Sequence, residues 1–207
     1  MKRTRLLCGA LAMVLIMLGL TAALAEAYIH PRDGYSFTVP EGWLAVDAYN
    51  VAALAAENDL SAEFIENMQA ADEGIFLSYV LEKTPGSDGF ASNINILVMP
   101  MIYPVENTKA FVSAFAKALE DNITVRDPNA VITVPLHEEV VAPWSVAMMT
   151  FVLDSFEGVQ ISAELTHTQV YLLSEDSIYS IMLTARTGDS ELCLGALETI
   201  ISSFVVP

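Results

Sequence analysis

The stretch IYSIMLTARTGDSELCLGALETIISSF, residues 178–204, places a strand and a helix back to back. Tyr179, Ile181, Leu183 and Ala185 recur at every second position, the period of a strand with one buried face. Gly188-Asp189-Ser190 breaks that pattern and supplies side-chain oxygens for the free N–H groups of a first helical turn. From about Glu191 to Ser203 the helical period takes over. Cys193, Ala196, Leu197, Ile200 and Phe204 fall at i, i+3, i+4, i+7 and i+11, one apolar face. A one-faced strand followed at once by a one-faced helix predicts a helix laid on a sheet.

Working back from this stretch, the segments before it are mostly extended. Val159–Leu173 reads as a long strand, joined to the last one by a hairpin loop at Ser174–Ser177. Val146–Leu153 is strongly apolar and is turned by Phe156-Glu157-Gly158. Val131–Val141 is extended but interrupted by Pro135. Asn107 can cap a helix running to about Asp121, with Phe111, Val112, Phe115 and Leu119 as its buried stripe. Ile75–Lys83 and Ser92–Met101 are strands, the second with Ile94, Ile96 and Val98 on one face. Pro85–Gly89 is the loop between them, and Pro104 stops the extended run.

Two further helices are predicted between residues 47 and 73. One is capped by Asp47 and runs through Asn58, with Val51, Leu54 and Ala55 inward. The other is capped by Ser61 and runs through Ala71, with Phe64, Ile65 and Met68 inward. Tyr35–Val39 and Trp43–Val46 are short strands around a Pro40-Glu41-Gly42 turn, preceded by a polar lead at 26–34. Segregated blocks of strands and helices give an α+β class, an antiparallel sheet covered by helices, in a single domain over 26–207.

Residues 1–25 read as an address. Lys2, Arg3 and Arg5 precede an apolar run from Leu6 to Leu20, and Ala23-Leu24-Ala25 offers the small residues that a signal peptidase reads. Cys8 lies inside the run, which argues against a lipid anchor. The expectation is a cleaved secretory signal and a secreted or periplasmic protein. The remaining Glu26–Pro207 holds six basic and 26 acidic residues, a formal charge of −20. Such a surface repels nucleic acid and anionic lipid, so neither a nucleic-acid partner nor a membrane is expected after cleavage. Cys193 is then the lone thiol. No internal disulfide is possible, and its place on an apolar helix face predicts a buried, inert side chain.

The chain lacks the usual signatures of catalysis. There is no G-x-S-x-G elbow and no phosphate-binding loop. His30, His137 and His167 are scattered, and His137-Glu138-Glu139 lacks a second histidine at helical spacing. No D-x-D-x-D-G calcium loop occurs. No catalytic, cofactor-binding or metal-binding residue is therefore assigned. Alternation turns His167 inward after Ile161, Ala163 and Leu165, as a satisfied core histidine with ligand contact as the alternative. Trp43, Trp144, Tyr35, Tyr49, Tyr103, Tyr171 and Tyr179 sit among apolar neighbours, which predicts core packing over a groove lining.

Three segments resemble a known family. Asp33-Gly34-Tyr35-Ser36-Phe37-Thr38-Val39-Pro40-Glu41-Gly42-Trp43 resembles the opening hairpin of the PsbP-like family. Ser92-Asn93-Ile94-Asn95-Ile96-Leu97-Val98 resembles its central strand. The run from Ile178-Tyr179-Ser180-Ile181 to Ile200-Ile201-Ser202-Ser203-Phe204 resembles its strand–helix ending. The resemblance implies an α/β/α sandwich and a binding or assembly module, not a catalyst, with 47–73 as a helical insertion. It carries over no functional residue and no cofactor, since no photosystem- or Ran-contacting motif is identifiable. The expected function is an exported, non-enzymatic module for an unknown protein partner or small ligand. Two alternatives stand beside it. One is a carrier of a small apolar ligand in a pocket lined by residues such as Met148, Phe151 and Tyr171. The other is a secreted hydrolase built around Glu157, His167 or His137.

Overall fold

The computed structural model describes residues 26–58, 60–71, 78–84, 90–102, 105–156 and 159–207. The elements, in chain order, are β1 (Ala27–Ile29), β2 (Ser36–Thr38), β3 (Trp43–Val46), α1 (Val51–Asn58), α2 (Ala62–Ala71), β4 (Ser78–Glu82) and β5 (Asn93–Pro100). They continue with α3 (Thr108–Arg126), β6 (Val131–Val141), β7 (Trp144–Phe156), β8 (Val159–Leu173), β9 (Ser177–Arg186) and α4 (Ser190–Ser203). Strands β3 to β9 form one antiparallel sheet in the order β3-β4-β5-β9-β8-β7-β6, and β1 pairs with β2 apart from it. The meander from β6 to β9 returns the chain to the sheet centre, where β9 closes against β5.

Strand parity sorts the side chains. Ile181, between Ile96 on β5 and Val170 on β8, lies on one face of the sheet. The β1–β2 hairpin and α4 cover that face, forming a core of Tyr35, Phe37, Ile94, Ile96, Val170, Leu172, Ile181, Leu197 and Ile200. The backbone of Val205, just past α4, exchanges both hydrogen bonds with Ser36, at 3.0 and 2.8 Å, and so holds the hairpin to the helix end. The opposite face carries two separate covers. Helix α3 packs through Phe111, Val112, Leu119 and Ile123 on Met149, Phe151, Leu153 and Tyr171. Helices α1 and α2 pack through Val51, Phe64, Ile65 and Met68 on Leu44, Val46, Tyr79 and Leu81. Helices on one face and a helix plus hairpin on the other make the α/β/α sandwich.

The structure corrects five local expectations. Asp189 precedes α4 without a side-chain cap bond, and Ser190 Oγ donates back to Thr187 O at 3.0 Å instead of accepting from the first turn. The lead at 26–34 contains β1, too short for alternation to register, yet Tyr28 from it is buried. Asp47 does not cap a helix directly. Its carboxylate accepts from Tyr49 N at 2.7 Å and Asn50 N at 2.8 Å, which makes a turn, and α1 begins only at Val51. Phe115 is 42% exposed, on the rim of the α3 stripe, and Ala116 takes the inward place. Helix α3 also runs to Arg126, five residues past the expected end. The expected cap at Asn107 is present, its side-chain oxygen accepting from Ala110 N at 2.9 Å. Pro135, which has no N–H for the ladder, sits where the β6–β7 register shifts. Just past it, Leu136 N donates to Glu120 of α3 at 3.2 Å instead.

Residues 1–25, 59, 72–77, 85–89, 103–104 and 157–158 lie outside the described residues, and with them the expected signal, the expected Pro85–Gly89 loop, Tyr103, Pro104 and Glu157. No helix among the described residues is long and apolar enough to cross a membrane.

Candidate functional site

Two places combine polar chemistry with partial access. The first is a groove of about 560 Å³ at one end of the sheet. The N-terminus of α3, the β6–β7 hairpin, the β8–β9 turn and the C-terminal Val206 meet there. Val105, Trp144, Leu173 and Val206 supply apolar surface, and Glu106, Glu138 and Glu175 supply carboxylates. The framework is tied from several elements. Trp144 Nε1 donates to Phe204 O at 3.0 Å, Thr108 Oγ1 donates to Ser145 O at 3.0 Å, and Ser145 Oγ donates to Glu138 Oε1 at 2.7 Å. Trp144 packs against the α4 core as expected and turns its remaining surface to the groove. Trp43, Tyr35, Tyr171 and Tyr179 are buried as expected, and Tyr49 is half exposed.

The second place is a polar strip on the α1–α3 side of the sheet, between the two helical covers. Register sets Asn93, Thr184 and His167 side by side on β5, β9 and β8, with Asn95, Met182 and Gln169 in the next row. His167 is only 7% exposed. Its Nδ1 lies 3.0 Å from Thr184 Oγ1, and its ring stacks on Phe151 with centroids 5.1 Å apart. Burial pushes its pKa down to about 4, so the ring is neutral at ordinary pH. Inward burial was legible from the alternation; full satisfaction was not met, because Nε2 has no hydrogen-bond partner among the described residues. Gln169 Nε2 donates to Ser180 Oγ at 2.8 Å.

The remaining candidates stay apart. His137 is at the exposed β6 edge, with Nε2 3.6 Å from Glu139. His30 is buried, stacked on Tyr35 at 4.9 Å, with Nδ1 3.0 Å from Asp33. Among the described residues no three His, Cys, Asp or Glu side chains could hold a metal ion together. Cys193 lies in the α4 core, and burial pushes its thiol pKa up, away from the reactive thiolate. Met148, Phe151 and Tyr171 do not share a pocket. Met148 pairs with Val170 on the α4 face, and an odd spacing along β7 turns Phe151 to the other face, where Tyr171 also lies.

A second polar cluster is structural. Tyr28 donates to Asp47, Ser78 Oγ donates to Tyr28 OH at 2.9 Å, and Tyr35 OH shares a hydrogen bond with Ser78 Oγ at 2.6 Å. It ties the β1–β2 hairpin to β4 and to the turn before α1. No local pattern marks it, since its four residues converge from distant segments.

No family model matches the chain, and no curated protein matches its sequence. Similarity to solved structures is extensive in length but low in identity. LpqN of Mycobacterium tuberculosis, described as involved in cell envelope biogenesis, shares 11% identity over 90% of this chain and 88% of its own, with a TM-score of 0.52. CyanoP, the cyanobacterial PsbP of Synechocystis sp. PCC 6803, shares 13% over 90% and 96%, with a TM-score of 0.48. The Ran-binding protein Mog1p of Saccharomyces cerevisiae shares 9% over 87% and 94%, also at 0.48. At such identities likeness speaks to fold alone. The antiparallel sheet layered by helices on both faces, seen here and matched along nearly the whole length of LpqN, is the PsbP-like α/β/α fold expected from the sequence.

Proposed function

We propose that the protein is an exported, non-enzymatic binding or assembly module, with residues 1–25 as its export signal. Its docking place is the groove beside the N-terminus of α3. The observation that carries this reading is the composition of that groove: an apolar surface centred on Trp144, set among Glu106, Glu138 and Glu175. Apolar contact supplies affinity, and the carboxylates select a basic partner. The formal charge of −20 on Glu26–Pro207 steers such a partner inward from solution. A non-catalytic role is supported by the candidate nucleophile and base. The Cys193 thiol is buried with a raised pKa, and the buried His167 ring meets a hydroxyl and a phenyl ring. LpqN is described as acting in cell envelope biogenesis, which is compatible with an extracytoplasmic module.

The test is titration with a lysine-rich peptide, read by Trp144 fluorescence against Trp43 as the buried control. Replacing all three glutamates by glutamine (Glu106→Gln, Glu138→Gln, Glu175→Gln) is expected to weaken binding roughly tenfold, since exposed pairs give about 0.2–1 kcal/mol each. Added salt is expected to weaken the parent protein more than the variant. Equal affinity of parent and variant would sink the reading.

A further inference from the structure

The polar strip poses a physical question that the groove does not answer. The middle of a sheet under helical layers is normally apolar, because each buried polar atom must replace its water with a protein partner. Here the α1–α2 cluster reaches Tyr79 and Leu81 on β4, and the α3 cluster reaches Phe151 and Tyr171 and continues through Met99, Ile178 and Met182. Between them lie Asn93, Asn95, Thr184, His167 and Gln169, all on one face by register.

Two buried atoms in this strip, His167 Nε2 and Asn95 Oδ1, have no hydrogen-bond partner among the described residues. Leaving such an atom unpaired is destabilising, because its lost hydration is not replaced. They stand on β8 and β5, the strands flanking β9, and one row apart. Two strand spacings and two residues put their Cα atoms about 12 Å from each other. Met182 of β9 lies between, and it is only partly buried, as are Asn93 and Asn95, so the strip reaches solvent.

We infer that this strip is a binding site for a small uncharged molecule carrying N–H or O–H donors, held between Asn95 Oδ1 and His167 Nε2 across Met182. Asn95 Oδ1 can only accept, so the ligand must donate to it. His167 Nε2 accepts when Nδ1–H donates to Thr184 Oγ1 and donates when the hydroxyl points the other way. Amide and hydroxyl groups satisfy either arrangement. No charged side chain stands at Asn95, Met182, Thr184 or His167, and Arg186, the next residue on this face of β9, is held 4.0 Å from Asp189 and over the Phe90 ring. A charged ligand is therefore left without a counter-charge, and burying an unpaired charge is costly. A neutral ligand matches a neutral ring.

The experiment uses the intact protein labelled with ¹⁵N, following the His167 ring nitrogens and the Asn95 side-chain amide by NMR. The probes are acetamide and glycerol, against methylammonium and acetate. The expected result is that an uncharged probe shifts both sets of signals in a saturable way, while the charged probes shift neither. Asn95→Leu is expected to weaken that probe at least tenfold while leaving the spectrum otherwise folded. His167→Phe, which keeps a ring against Phe151, is expected to do the same. Unmoved His167 and Asn95 signals with both uncharged probes would overturn the inference. So would a water resident at Nε2 that neither probe displaces, or saturation by a charged probe alone.

Discussion

His167 shows how one side chain carries both a fold constraint and a chemical signature. In the unfolded chain an imidazole titrates near 6.5, whereas burial lowers the folded value to about 4. The unfolded state therefore binds the proton first. The stability tied to the neutral ring is whole above pH 6.5 and is lost as pH falls through 4. Between pH 7.5 and 5 this amounts to about 2 kcal/mol. Carboxylates titrate in the same region, so the informative quantity is a difference. His167→Phe is expected to lose about 2 kcal/mol less than the parent over that interval, measured by urea unfolding at both pH values. Parallel losses would show that the ring is hydrated in the folded protein. The burial itself was legible from alternation through Leu165. Its unpaired nitrogen was not, because pairing depends on Thr184 and Phe151, which arrive from other strands.

At the scale of elements, local chemistry and long-range packing separate cleanly. Asn107 caps α3 through a bond to Ala110 N, a contact within four residues, and its cost can be stated in advance. Asn107→Ala is expected to lower stability by about 1 kcal/mol. The same midpoint shift at Asn129, whose side chain makes no cap, would deny the cap a special role. Strands of strict alternation were equally legible, with β8 beginning and ending where the sequence placed it. Elements defined by a partner were not. Strand β1 exists because β2, itself held to Val205 after α4, offers it an edge. Helical spacing alone puts Phe115 in the stripe, while the packing of α3 on β6 and β7 places Ala116 in the cluster instead. The pocket expected from Met148, Phe151 and Tyr171 failed on parity, a property of the strand that the sequence does contain. The groove was illegible for another reason, since its carboxylates come from three segments that only topology brings together.

The whole molecule is organised by one sheet that serves three apolar clusters, and its tyrosines report on all of them. Tyr28, Tyr35 and Tyr179 lie with the α4 and hairpin core, Tyr171 with α3, and Tyr79 with α1–α2. Burial raises the hydroxyl pKa of every one, with Tyr171 pushed up to about 12. A free tyrosine ionises near 10, so above that pH the unfolded chain releases protons that the folded one keeps. The stability these groups contribute is complete below pH 10 and disappears as pH rises through their folded values. If the sheet couples the clusters, alkali removes them together. Tyrosinate absorbance and loss of the sheet signal in circular dichroism are then expected to follow one transition at alkaline pH. Absorbance rising well before the circular dichroism changes would mean that one cover opens alone. Tyr79→Phe would then identify α1–α2 as that cover if it removed the early phase, and Tyr171→Phe would identify α3 by the same loss.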